Sequence, residues 1–358
     1  MGTTPKAVPK TLADWRNFVA YERHEVEILS VAERDALPAG ERETYDNARL
    51  QAVNEAMVLR TPDLDKLSRE LRLCLGMAVG DQFTARQGLA VSGVQRLGKS
   101  TAAMYLGRSH ERTQRTVHDR AHDTNFAPVL YVSTPPESTP RQLMSAFART
   151  LGLPVGSRVS TDALMGQVTR VISELGTTLI ILDEIQNLST RASAGMAAAN
   201  MLKAFSETLP AVFMYVGVEL EKSDLLAGPM QEQINGRLSV VHMEPLPHGT
   251  QLDRDRWDEL VMQFEEWFPL AEHVVGSLGG AYEWLYGASG GVLGSLRSIL
   301  RAAQVAAILD GVEFVDQARV EAAMIDFRAQ RNLNESLKKP RKGQPVATRS
   351  GTGPQAAA

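Results

Sequence analysis

The chain has 358 residues, 44% of them hydrophobic and 22% charged, a composition that can bury a sizeable core and excludes global disorder. Its single cysteine, Cys74, excludes an intramolecular disulfide and a cysteine-rich zinc site. A formal net charge of −4 excludes a whole-molecule pull toward nucleic acid, so any DNA contact needs a local basic surface. No N-terminal signal pattern and no run of roughly 18 apolar residues is present, so a soluble cytoplasmic protein without membrane contact is expected.

Residues 1–10 are polar and proline-containing and read as a disordered N-terminus. From 11 to 70 the text is charged and punctuated, with Trp15, Phe18, Val19, Val26 and Ile28 as apolar anchors. Pro38-Ala39-Gly40 divides it into two helical stretches and Pro62 marks a further start, which predicts a helical extension without a core of its own. Between 71 and 247, short apolar runs alternate with helical patterns: 89–91, 129–132, 179–182, 212–216 and 240–243. Near-continuous apolar strands separated by helices predict an α/β core, its parallel sheet covered on both faces. Thr139, Pro140 and Gln142 supply a capping box and a proline in the first turn for one of those helices. Amphipathic patterns at 252–268, 272–286, 293–309 and 317–331 predict a helical subdomain over 248–335. The stretch 336–358 carries Lys338, Lys339, Arg341, Lys342 and Arg349 without an acid and reads as a disordered basic tail.

Gly93-Val94-Gln95-Arg96-Leu97-Gly98-Lys99-Ser100 fits G-x-x-x-x-G-K-[ST], after an apolar run and before a helical pattern that begins at Thr101. Phosphate binding needs glycines that let the backbone wrap the anion at a helix N-terminus. Lys99 is placed to reach the β- and γ-phosphates of ATP, and the Ser100 hydroxyl to coordinate Mg2+. Downstream, the apolar run 179–182 ends in Asp183 and Glu184. Asp183 fits the role of holding Mg2+ and its waters, and Glu184 that of polarising the attacking water. Arg237, before the fifth strand, reads either as an arginine finger for a neighbouring subunit or as a surface charge. Arg297 reads either as a nucleotide contact in cis from the first turn of a lid helix or as a helix-surface charge.

These residues resemble the AAA+ ATPases. Within them the chain is most similar to the transposition regulators TniB and TnsC, with MuB more distant. The likeness is carried by the phosphate loop, Leu182-Asp183-Glu184-Ile185-Gln186-Asn187-Leu188, the layout from Pro128 to Pro154, and the lid text 289–294. It implies a P-loop AAA+ core with a C-terminal helical lid, slow ATP hydrolysis stimulated by DNA or a partner, and self-assembly as a ring or helical filament on double-stranded DNA. A DDE transposase and a TniQ-type targeting protein are the implied partners. Where the group usually has threonine after the glycine that ends strand four, this chain has Val218, which bears on hydrolysis more than on binding.

The resemblance maps DNA contacts onto Thr139 and Arg141 at the start of one helix and onto Arg158 and Thr161 in the loop that follows it. Such groups would track phosphates without reading bases; Arg141 reads equally as an exposed helix residue. The cations from Arg108 to Arg120 are diluted by Glu111 and Asp119 and read more readily as a solvated helix face. Two other classes remain open: a nucleotide-gated scaffold with marginal hydrolysis, and a P-loop signalling or defence ATPase that does not act on DNA.

Overall fold

The computed structural model describes residues 8–23, 25–79, 87–188, 192–222, 237–323 and 329–332. The five apolar runs form five parallel strands: β1 (Gly88–Ser92), β2 (Val129–Ser133), β3 (Leu179–Asp183), β4 (Val212–Val216) and β5 (Leu238–His242). Their order across the sheet is β2-β3-β4-β1-β5, so β4 is central, between β3 and β1, and β1 lies between β4 and the edge strand β5.

Each strand sends alternate side chains to opposite faces. Leu89, Val91, Val129, Tyr131, Leu179, Ile181, Val212, Met214 and Val216 enter one core cluster. Ala90, Leu130, Val132, Ile180, Leu182, Phe213 and Tyr215 enter the other. Burial on both faces explains why these runs are apolar throughout and do not alternate in polarity. Helices α1 (Leu12–Ala20), α4 (Pro62–Met77) and α5 (Lys99–Val117) supply the first cluster; α6 (Pro140–Thr150), α7 (Thr161–Glu174) and α8 (Ala192–Thr208) supply the second. The capping box at Thr139 and Gln142 forms as expected.

The extension holds three helices before Pro62 where two stretches are expected: α1, α2 (Val31–Ala36) and α3 (Ala39–Asn54). The expected boundary at residue 70 falls inside α4, whose Leu64, Leu67, Leu71 and Cys74 are buried in the sheet core. The extension is also anchored at both ends. Trp15 of α1 is fully buried and donates from Nε1 to Glu111 of α5 at 2.6 Å. Arg49 of α3 is buried against Glu313 of the C-terminal subdomain at 2.7 Å. Removing one partner of such a pair leaves an uncompensated buried charge.

The C-terminal subdomain comprises α9 (Gln251–Glu265), α10 (Tyr282–Ser289), α11 (Leu293–Asp310) and α12 (Gln317–Ala322) around its own apolar cluster. The amphipathic pattern at 272–286 forms an α-helix only from Tyr282, after a single 3-10 turn over Gly279–Ala281. Gly276 at φ +87° and the Gly279-Gly280 pair hold the preceding residues in turns. The pattern at 317–331 is helical over Gln317–Ala322 and again at 329–331. The basic tail and its five cations lie outside the described residues.

The cations between Arg108 and Arg120 serve the fold. Arg108 and Arg112 donate to the Val19 carbonyl at the end of α1, and Arg115 donates to the carbonyls of Arg120, Asp123 and Phe126. No described helix is long and apolar enough to cross a membrane.

Candidate active site

The loop from Gly93 to Gly98 joins β1 to α5, and three of its residues need backbone conformations that side chains disfavour: Gly93 at φ +152°, Arg96 at +69° and Gly98 at +89°. A Cβ on Gly93 would lie 2.2 Å from the Met243 carbonyl oxygen, so only glycine fits beside the end of β5. At Gly98 the limit is conformational, because a Cβ there would meet nothing nearer than Leu293 at 4.0 Å. Lys99 opens α5, where the first amides have no acceptor within the helix. Its ammonium is buried and donates to the carbonyls of Gly93 at 2.8 Å and Val94 at 2.6 Å. Burial pushes the Lys99 ammonium below its ordinary pKa, opposed by the Glu184 and Asp183 carboxylates.

Those carboxylates arrive from β3. Asp183 shares the strand parity of Leu179 and Ile181, which directs it to the face covered by α5. It is buried, with Oδ1 accepting from the Glu184 amide at 2.8 Å and Oδ2 from the Tyr131 hydroxyl at 2.6 Å. Burial and the Asp183 charge push the Tyr131 phenol far up, so it remains a donor. Tyr131 in turn stacks on Trp15 at 5.8 Å between ring centroids. Glu184 is exposed and sits in the left-handed region at φ +57°, ψ +36°. Such a conformation costs about 1–3 kcal/mol and persists where surrounding structure over-determines it.

Beside the loop lies a cleft of about 340 Å³. Its walls are the strap from Ala56 to Thr61, the loop residues Arg96 to Gly98, Thr101 on α5, and Leu293, Gly294, Arg297 and Arg301 of the lid. Arg96 and the lid exchange hydrogen bonds: Gly294 donates its amide to the Arg96 carbonyl at 2.9 Å, and the Arg96 guanidinium donates to the Gly294 carbonyl at 2.8 Å. Arg297 lines the cleft and donates to the Glu55 carbonyl at 2.7 Å. Burial, and Arg301 beside it, push its guanidinium down. The strap, Leu293 and Arg301 carry no motif, and only the fold reveals them. The glycines, the buried lysine, the helix N-terminus and the cleft fit a nucleoside triphosphate, and Ser100 with Asp183 fit its magnesium ion.

The remaining candidates lie elsewhere. Arg237 precedes β5 at the opposite end of the sheet, where its carbonyl accepts from Gly88 and its guanidinium meets Glu207 at 3.4 Å. With β5 five residues long, about 16 Å of strand separates Arg237 from the phosphate loop of its own chain. Thr139 caps α6. Arg141 donates to the carbonyls of Gly156 at 3.0 Å and Ser157 at 3.4 Å, and to that of Val159, drawing the loop that carries Arg158 against the start of α6. Thr161 opens α7 one residue after its cap, Ser160. The four candidate DNA residues are thereby gathered around the start of α6.

The family model described as the bacterial TniB protein matches residues 49–247, more than half of the chain. The chain belongs to the TniB family. No curated protein matches it. Among solved structures, this TniB protein is similar to the ORC1 protein of Aeropyrum pernix in complex with DNA, at 17% identity and a TM-score of 0.55, covering 76% of this chain and 68% of that one. It is similar also to the Aeropyrum pernix ORC2 protein in ADPNP–ADP complexes, at 14% identity and a TM-score of 0.54, covering 79% and 71%. At such identities the likeness shows the fold alone: a P-loop AAA+ core with a helical lid and an N-terminal helical extension.

Proposed function

We propose that this TniB protein is an ATP-dependent regulator of DNA transposition that assembles on double-stranded DNA and recruits or activates a DDE transposase, with a TniQ-type protein as a further partner. The observation that carries the reading is the convergence of Lys99, Asp183 and Glu184 at one rim of the sheet in a chain of the TniB family. Lys99 leaves the loop carbonyls to neutralise the terminal phosphates. Ser100 and Asp183 hold the magnesium ion, which would supply charge neutralisation between the phosphates. Glu184 accepts the proton of the attacking water. Arg297 and Arg301 close the cleft from the lid. Arg237 is too far from its own loop and serves a neighbouring subunit, which makes turnover depend on self-assembly. Thr139, Arg141, Arg158 and Thr161 meet DNA phosphates, as does the basic tail.

Electron microscopy of the protein with duplex DNA and a non-hydrolysable ATP analogue tests this reading. Ordered rings or filaments that vanish without nucleotide are the expected result, and monomers under all conditions contradict it. Val218 favours a second reading, a nucleotide-gated scaffold with marginal hydrolysis, because an apolar side chain stands two residues beyond β4. Steady-state phosphate release with and without DNA separates the two.

A further inference from the structure

Glu184 must hold a carboxylate toward the nucleotide while its backbone sits in the left-handed region on an exposed turn. Something has to fix that side chain, and the Val218 side chain, two residues beyond β4, offers no polar group to do it. Gln186, two residues on, spans the gap. Its Nε2 donates to Glu184 Oε2, and its Oε1 accepts from the Val218 amide at 3.0 Å. One carboxamide therefore uses both ends, one on the acid and one on the backbone of the neighbouring strand.

The site is shaped for that head group. Gly217 lies beside it, and a Cβ there would fall 2.6 Å from Gln186 Oε1, 2.5 Å from Leu220 Cδ2 and 3.0 Å from Ile185 Cγ2. The Gly217 amide in turn donates to the Val91 carbonyl of β1 at 3.0 Å. Gln186 thus ties the carboxyl end of β3 to that of β4, which is itself tied to the strand that carries the phosphate loop. Asn187 makes the opposite connection, donating to the Thr134 carbonyl at 3.0 Å, while the Ser138 amide donates to the Asn187 carbonyl at 2.9 Å. The turn after Glu184 is held from both sides by consecutive side chains.

We infer that Gln186 is the positioning residue of the hydrolytic step: its carboxamide, braced on the Val218 amide, aims the Glu184 carboxylate at the attacking water. This rests on the proposed ATPase reading. The carboxamide carries no charge, and both its ends are taken by protein groups; it acts through Glu184 by geometry, so it should govern turnover and leave nucleotide affinity alone.

The full-length protein with ATP, Mg2+ and duplex DNA provides the test. Q186E keeps the shape and the acceptor for Val218 but replaces the donor facing Glu184 with a carboxylate oxygen. A misaimed base should lower kcat roughly ten- to a hundredfold, with KM and nucleotide Kd within about twofold of wild type. Q186H retains one donor and one acceptor and should keep about a third of wild-type turnover or more. Adding Q186E to E184Q should lower turnover no further, because the aimed group is already gone. If Q186E turns over within twofold of wild type while E184Q is inactive, the proposal is wrong and the ATPase reading stands. A fall in nucleotide affinity or melting temperature parallel to that in kcat makes Gln186 merely structural and also overturns it. Wild-type turnover in E184Q overturns the ATPase reading itself.

Discussion

At the carboxyl rim of the sheet, the loops after the first four strands each contain a non-glycine residue with positive φ: Arg96 after β1, Glu137 after β2, Glu184 after β3 and Glu219 after β4. Away from that rim, the described residues contain one more, Asp119 just beyond α5. The amino rim carries Arg237 on a half-exposed turn, paired with Glu207, and His110 of α5 against Thr178 just before β3. Strain of about 1–3 kcal/mol per residue is retained where a ligand needs pre-set geometry, and open α/β sheets bind ligands beyond the carboxyl ends of their strands. One end of the sheet thus has the pre-set geometry that the proposed nucleotide site requires. The other is ordinary backbone that presents a cation outward.

Changes at the two rims should therefore separate binding from everything else. Lys99→Ala should weaken ATP binding by about 3 kcal/mol or more, some hundredfold, since the bound phosphates lose their buried cation; isothermal titration checks this, and affinity within twofold of wild type would remove the phosphate-loop assignment. Glu184→Gln should bind ATP normally and hydrolyse it about 10²–10⁴-fold more slowly, because a carboxamide cannot accept the proton. Single-turnover phosphate release measures that effect.

The carboxyl rim was also the more legible of the two. The phosphate loop and the Asp-Glu pair are each contiguous in sequence, and each shows its chemistry through residue type and spacing within its own short segment. Five apolar runs likewise announced five strands, four of them buried and β5 half-buried at the sheet edge. The cleft walls were hidden because the strap at 56–61, Arg301 and Leu293 meet only through folding across some 240 residues of chain. Tyr131 and Asp183 are joined by strand pairing, which no local pattern announces. The helix expected from residue 272 failed because apolar spacing continued through glycines that break it.

Two smaller effects sharpen the contrast. Trp15→Ala removes a fully buried indole from α1, strands Glu111 and unstacks Tyr131, and should cost about 3–5 kcal/mol of stability in chemical denaturation. At the amino rim, burial lowers the His110 imidazole from 6.5 to about 4. The unfolded chain then binds a proton that the folded chain refuses, so stability falls as pH drops from 6.5 toward 4, by at most about 3 kcal/mol. Burial lowers His273 to about 4 as well, so His110→Gln should remove about half of that acid slope while leaving nucleotide affinity at neutral pH unchanged; an unaltered slope would show that His110 does not contribute to it.

In the proposed assembly, the site at the carboxyl rim of one subunit is completed by the amino-rim Arg237 of the partner subunit. Turnover per chain, followed against protein concentration in the presence of duplex DNA, decides whether the site is shared. Wild-type turnover should rise steeply with concentration and then level off as subunits assemble. Arg237→Ala should bind ATP with wild-type affinity yet stay flat, with turnover reduced by as much as about 10³–10⁵-fold where the finger effect is largest. Turnover independent of concentration and equal in the two proteins would contradict the shared site and leave Arg237 as the surface partner of Glu207.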